Sequence, residues 1–221
     1  MERDIAENQA RDLKIDVMQV VREFWEIIIL KGLFDSPEGK FLVFKGGTAL
    51  RLVYGSPRFS EDLDFSLMLD RLKGRFKTLI RKIVAPYPEL TITDLEVKYY
   101  TYLGEIKVMQ DYLPSPFRIK IEISKRRMRV YNSELALISS PVSTVQFLGR
   151  VATLEQLYKD KLTCIKGWAK PKDIFDLWYI SQKLNKVYRP ETILIPKREL
   201  VRELRKYLPK DFWPVIDKLK A

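Results

Sequence analysis

A glycine pair followed by two aspartates one residue apart constrains this chain more than any other stretch. The run is Lys45-Gly46-Gly47-Thr48-Ala49-Leu50-Arg51, then Arg58-Phe59-Ser60-Glu61-Asp62-Leu63-Asp64-Phe65. Before the glycines lies an apolar segment, Phe41-Leu42-Val43-Phe44, which reads as a buried strand. Glycines there let the backbone turn sharply and bring its N–H groups close to a phosphate. A helix opening at Thr48 adds its positive end to the same place. Strand geometry then puts Asp62 and Asp64 on one face and turns Leu63 and Phe65 to the core. Two carboxylates on one face repel each other unless a divalent cation lies between them.

A third acid follows. Phe117 to Ser124 is the cleanest alternation in the chain, with Phe117, Ile119, Ile121 and Ile123 facing one way. Arg118, Lys120, Glu122 and Ser124 face the other. Three carboxylates on neighbouring strands beside a glycine turn suit two-metal nucleotidyl transfer, with two Mg²⁺ ions as cofactors and an NTP as substrate. The chain has no histidine, which excludes any imidazole base and removes the commonest zinc ligand. Carboxylates, lysine, arginine, hydroxyls and bound metal must do the chemistry.

The rest of the chain frames this motif. Helical spacing of Leu13, Val17, Val20, Val21, Phe24 and Ile28 predicts helix up to about Leu33, and Asp35 to Gly39 predicts a turn. Asp70 is placed to cap a helix ending near Ala85, before Pro86 and Pro88. Val97 to Tyr102 and Glu105 to Met109 read as strands. After the Ser139-Ser140-Pro141 loop the pattern predicts helix to the end. Thr153-Leu154-Glu155-Gln156 has capping-box spacing, and Pro171 suits a first helical turn. Short helices are expected after Pro196 and Pro209. The expected fold is α+β, a mixed sheet flanked by helices with a C-terminal helical bundle. The expected domains are 1–150, a nucleotidyltransferase α/β domain with an N-terminal helix, and 151–221, helical.

The net charge of +11 points to a nucleic-acid or polyphosphate partner. A solvated surface of a heat-adapted, thermophilic protein is the plainer explanation of so many charged residues. Lys125-Arg126-Arg127-Met128-Arg129 directly follows the third-acid strand and could meet an RNA backbone, and Tyr99, Tyr100, Tyr102 or Trp168 could stack a base. The one cysteine, Cys164, reads as a buried small hydrophobe. No apolar run approaches the ~20 residues of a membrane span. No apolar signal segment opens the chain, so a cytoplasmic location is expected.

The run KGGTALRL…RFSEDLDF resembles the signature of the AbiEii/AbiGii-type nucleotidyltransferase toxins, within the DNA-polymerase-β-like nucleotidyltransferase superfamily. The resemblance continues through Lys120-Ile121-Glu122-Ile123 as the third-acid strand, Lys161 on one helix, and Lys170-Pro171-Lys172-Asp173 opening the next. It implies that Asp62, Asp64 and Glu122 hold metal and that Lys161 neutralises phosphate charge. It implies that Asp173 orients Lys161 or a neighbour. Lys45, Gly46, Gly47, Thr48, Arg58, Ser60 and Lys170 then line the nucleotide, with Lys170 where the family usually has arginine. It further implies a tRNA or other RNA 3′ end, or a protein hydroxyl, as acceptor, and a cognate antitoxin as partner. Transfer to a small molecule and a non-catalytic nucleotide- or RNA-binding module are the rival readings.

Plainer roles exist for each residue. Asp62 and Asp64 could be surface acids, Glu122 a partner of Lys120 or Arg118, and Lys161 a solvated lysine. Asp173 could be a first-turn acid favoured by the helix dipole. Arg51 could sit on the helix surface against an acid.

Overall fold

The computed structural model describes residues 1–126, 130–167, 169–188 and 195–219. Helices α1 (Arg3–Asp12) and α2 (Val17–Phe34) open the chain. The single helical stretch expected here is broken because Lys14 takes a left-handed backbone (φ 53°) and Asp16 caps α2, its carboxylate accepting from the Met18 N–H. Next come β1 (Leu42–Lys45), α3 (Gly46–Leu52), β2 (Asp62–Leu67) and α4 (Phe76–Val84). Strands β3 (Leu90–Val97), β4 (Thr101–Val108), β5 (Phe117–Ser124), β6 (Ser133–Ser140) and β7 (Ser143–Ala152) follow. The chain closes with α5 (Leu154–Gly167), α6 (Pro171–Lys183), α7 (Lys197–Leu204) and a 3-10 segment (Lys210–Leu219).

The strands form one seven-stranded mixed sheet in the order β3-β4-β5-β2-β1-β7-β6. β2 runs parallel to β5 and antiparallel to β1. Alternation splits the sheet into two unlike faces. Phe44, Leu63, Phe65, Ile119, Ile121 and Ile123 are fully buried in the main core, together with Val21 and Leu30 of α2 and Ile80 of α4. Each such side chain contributes about 1.5–3 kcal/mol by leaving water. The opposite face carries Lys45, Asp62, Asp64, Lys120 and Glu122. Helices α5 and α6 are tied to that side through Val43, Leu50, Ala152, Leu157 and Ile180. The C-terminal elements share a separate core that includes Phe175, Leu200, Leu204 and Leu219. Thr153 caps α5 as the capping-box spacing predicts, its hydroxyl accepting from the Gln156 N–H (3.2 Å).

The expected α+β architecture is present, with four further local differences. The chain does not turn helical after Pro141, because β6 and β7 form a hairpin across that loop and β7 lies parallel to β1. The period-2 signal was there in Val145, Phe147 and Gly149, which all turn inward relative to their exposed or half-exposed neighbours. Asp70 caps nothing; its carboxylate accepts from the Tyr102 hydroxyl (2.8 Å), and α4 starts only after Gly74 (φ 73°) and Arg75. The expected strand from Val97 to Tyr102 is the tip of the β3–β4 hairpin, since Lys98 N–H pairs with the Thr101 carbonyl (2.8 Å) across it. Cys164 is exposed rather than buried. No helix among the described residues is long and apolar enough to cross a membrane.

Candidate active site

The glycine turn is built around Asp64. β1 ends at Lys45, which lies directly across from Asp64 in the antiparallel pair. Gly46 then takes φ +82°, a conformation that L side chains rarely adopt, and a Cβ there would collide with the Asp64 carboxylate. Only glycine lets the acid and the turn approach so closely. A Cβ on Gly47 would strike Arg58 Nη2 and would lie 2.9 Å from Ser60 Oγ. So Ser60 borders the turn, while Arg58 backs it.

The parallel register of β2 and β5 sets Asp64 beside Glu122 and Asp62 beside Lys120. All three acids therefore rise from one face of the sheet. Burial, then repulsion from Asp62, push the Asp64 carboxyl up to about 6 despite Lys45 and Lys161, and Glu122 adds to the repulsion. Hard oxygen donors that repel one another fit a divalent cation of the Mg²⁺ kind. The ligand set is not closed in this structure. Among the described residues no three or more acids already form a metal-binding group, and Glu122 is bonded to Lys120 Nζ (2.6 Å). A hollow of about 580 Å³, lined in part by Arg22, Asp62, Arg118 and Lys120, opens beside Asp62.

Behind the glycine turn lies a buried ionic knot. Arg58 is 2% exposed and grips Asp176 through Nε (2.7 Å) and Nη2 (2.8 Å), while Nη1 donates to the Phe59 carbonyl (2.8 Å). Lys161 of α5 reaches both Asp173 and Asp176 at 2.7 Å. Burial works against the Lys161 ammonium, but the two aspartates outweigh it and hold its pKa above the ordinary value. Burial likewise works against ionised Asp176, and Arg58 and Lys161 outweigh it, so its carboxyl sits below the ordinary range.

Two expected phosphate ligands are corrected by this geometry. Arg58 is buried, and Nε, Nη1 and Nη2 each donate to Asp176 or to the Phe59 carbonyl, so Arg58 supports the turn from within. The Thr48 hydroxyl, also buried, donates to the Asp62 carbonyl (2.6 Å) and braces the acid strand instead of offering itself to phosphate. Lys170 is exposed, and its carbonyl accepts the Asp173 N–H (2.9 Å) at the start of α6. Arg51 does contact an acid, Glu23 (2.6 Å), yet it is nearly buried and lies over the Phe59 ring (3.7 Å). Tyr102 is buried. Trp168 and residues 127–129 of the basic run lie outside the described residues.

The sequence reading missed Asp176 as a hub. Its spacing of three from Asp173 on one helix places both acids on the same side, a signal that was available. It also missed the latch on Glu61, whose carboxylate accepts from the Tyr207 hydroxyl (2.7 Å) and Lys172 (2.9 Å). No local pattern announces that contact, because Tyr207 is remote in the chain.

The profile of the nucleotidyl transferase AbiEii toxin family, a type IV toxin–antitoxin system, matches residues 28–212. That span holds the glycine turn, all three acids and the buried knot. The chain belongs to the AbiEii family. It is thus an enzyme of the nucleotidyltransferase class, with an NTP as substrate and an antitoxin as counterpart. Several solved structures share its fold, among them the following two. JHP933 from Helicobacter pylori is 26% identical with a TM-score of 0.54, over 93% of this chain and 78% of that one. MenT4, a nucleotidyltransferase toxin from Mycobacterium tuberculosis, is 18% identical with a TM-score of 0.61, over 92% of this chain and 70% of that one. No curated protein sequence matches the chain. In this AbiEii member the turn comes from β1–α3, the acids from β2 and β5, and the knot from α5, α6 and Arg58 of the segment before β2.

Proposed function

We propose that this AbiEii enzyme transfers a nucleoside monophosphate from an NTP to a hydroxyl of RNA, a tRNA 3′ end in the first instance. The bond from the α-phosphorus to pyrophosphate breaks, a bond to the acceptor oxygen forms, and the hydroxyl proton passes to a carboxylate of the acid face. The observation that carries this reading is Asp64 pressed against Gly46 in register with Glu122, which puts the acids beside a turn able to cradle phosphate.

Asp62, Asp64 and Glu122 are the residues that would hold Mg²⁺, which supplies charge stabilisation to the triphosphate and lowers the pKa of the acceptor hydroxyl. Glu122 must exchange Lys120 for that role. The freed Lys120 then becomes a cation at the same face. Lys45, the Gly46-Gly47 backbone and Ser60 line the phosphates. Lys161, held by Asp173 and Asp176, faces Asp64 from the knot and turns toward phosphate when a nucleotide binds, and Lys170 adds a second cation at the rim. Arg58 and Thr48 act as positioning residues for the turn and the acid strand. The net charge of +11 favours RNA over a neutral acceptor.

Incubation with labelled NTPs, Mg²⁺ and total tRNA tests the reading. Wild type labels the tRNA, and Asp64→Ala loses on the order of 10³-fold in rate, the ~4 kcal/mol scale of a removed catalytic group. Equal labelling by the two proteins defeats the assignment. Label appearing on protein or a small molecule, with tRNA unlabelled, defeats the RNA acceptor alone.

A further inference from the structure

The loop joining β3 to β4 carries two tyrosines that serve no core. Tyr99 is 84% and Tyr100 53% exposed, with their rings edge to face at 4.5 Å. Burying a large aromatic is ordinarily favourable, so an exposed pair is a surface free to take another ring. Cations from the end of β5 gather beneath them. The Arg126 guanidinium lies 5.2 Å from the Tyr100 ring, and Lys125 Nζ lies 4.6 Å from the Tyr102 ring. The Lys125 N–H donates to the Tyr100 carbonyl (2.8 Å), and its ammonium donates to the Lys98 carbonyl, so the loop is pinned to β5.

The position of this platform follows from the register. Thr101 pairs with Ser124, which lies two residues beyond Glu122 on the same face of β5. At about 3.3 Å per residue the platform begins roughly 7 Å past the third acid. The glycine turn lies the other way. β1 runs antiparallel to β2, so Gly46 continues toward the Asp62 end, whereas β5 runs parallel to β2 and leads away from it. Displacement at phosphorus places the attacking and leaving oxygens roughly in line. With pyrophosphate leaving over the glycine turn, the acceptor arrives from the tyrosine side.

We propose that Tyr99, Tyr100, Lys125 and Arg126 form a stacking platform for the single-stranded RNA that delivers its terminal hydroxyl to Glu122. This rests on the RNA-directed reading above. Aromatic faces stack any base, and the cations beside them meet the backbone, which is how single strands are held without sequence readout. A duplex keeps its bases stacked on each other and has no free face to offer.

Fluorescence anisotropy with a labelled ~12-nucleotide single-stranded RNA, without NTP, tests the platform directly. Stacking at about 1–3 kcal/mol per base predicts that Tyr99→Ala/Tyr100→Ala weakens binding about tenfold or more. Tyr99→Phe/Tyr100→Phe keeps binding near wild type, since stacking needs the ring and not the hydroxyl. NTP affinity is unchanged in both, and the exposed positions leave the melting temperature unmoved. In the labelling assay the alanine pair raises KM for RNA more than it lowers kcat. Wild-type affinity in the alanine pair, an equal loss in the phenylalanine pair, or no binding of single-stranded RNA by wild type overturns the platform. Tyrosine-dependent binding without any label transfer upholds the platform and removes the transfer reading. Transfer to RNA that ignores the tyrosines does the reverse.

Discussion

The acid face and the ionic knot are neighbours with opposite electrostatics. In the knot, Arg58 and Lys161 face Asp173 and Asp176, two charges of each sign, and every one is held by a partner within 2.8 Å. On the acid face, Asp62, Asp64 and Glu122 share one side of the sheet with Lys45 and Lys120, and Asp64 is still pushed up to about 6 by burial and repulsion. The knot is complete as it stands. The acid face still leaves Asp64 raised, although Lys45, Lys120 and Lys161 lie near its acids. A protein that built both as knots would have a rigid interior and no affinity for metal. In the proposed reading the unbalanced region carries the chemistry, and the balanced one holds it in place.

Breaking the knot should cost the most. Asp176→Ala leaves Arg58 and Lys161 buried without their shared partner, and unfolding in urea should show a loss of about 3–5 kcal/mol. Asp176 is placed behind the turn, so a loss below about 1 kcal/mol would mean the knot is not what stiffens it. The acid face should respond with the opposite sign. Asp64→Asn removes repulsion and should raise stability at pH 7 by about 1–2 kcal/mol, a two-unit shift discounted for solvent screening, while transfer activity falls.

The pH dependence follows from the same shift. Asp64 titrates from 3.8 in the unfolded chain to about 6 in the fold. The folded form therefore binds the proton more tightly, and this group's destabilising contribution grows as pH rises from about 4 to about 6, then levels off. Below the lower value both states are protonated, and the Asn variant should show no advantage. Metal must displace the same proton. Mg²⁺ affinity, read by calorimetry or by protection against thermal unfolding, should weaken below pH 6 by up to about tenfold per unit.

The smallest expected effect concerns Glu26, which is 1% exposed on α2. Burial pushes its carboxyl well above the ordinary range. Burial thus favours the neutral form, and the neutral isostere in Glu26→Gln should change stability by under about 0.5 kcal/mol. A large loss would show that a charged acid survives there, and that the acid face is less crowded than Asp64 indicates.

The acid face was nearly all legible in the sequence. Alternation placed Asp62, Asp64 and Glu122 on one side, and the apolar residues between them fixed which side. The Gly46-Gly47 turn was legible because only glycine tolerates that backbone beside a carboxylate. The knot was half legible. Lys161 and Asp173 were singled out, but Arg58 was assigned to phosphate and Asp176 to nothing. The β6–β7 hairpin is hard to read because Pro141 looks like the end of the sheet rather than a turn within it.

Local order, then, was written in the residues themselves: strand period, glycine turn, capping box and the charge excess that favours a polyanion. What only the tertiary structure decided was which charges are satisfied. An arginine reads the same in sequence whether it meets a phosphate or a buried aspartate. The difference is set by desolvation and by partners that arrive from distant segments, as Asp176 does for Arg58 and Tyr207 does for Glu61.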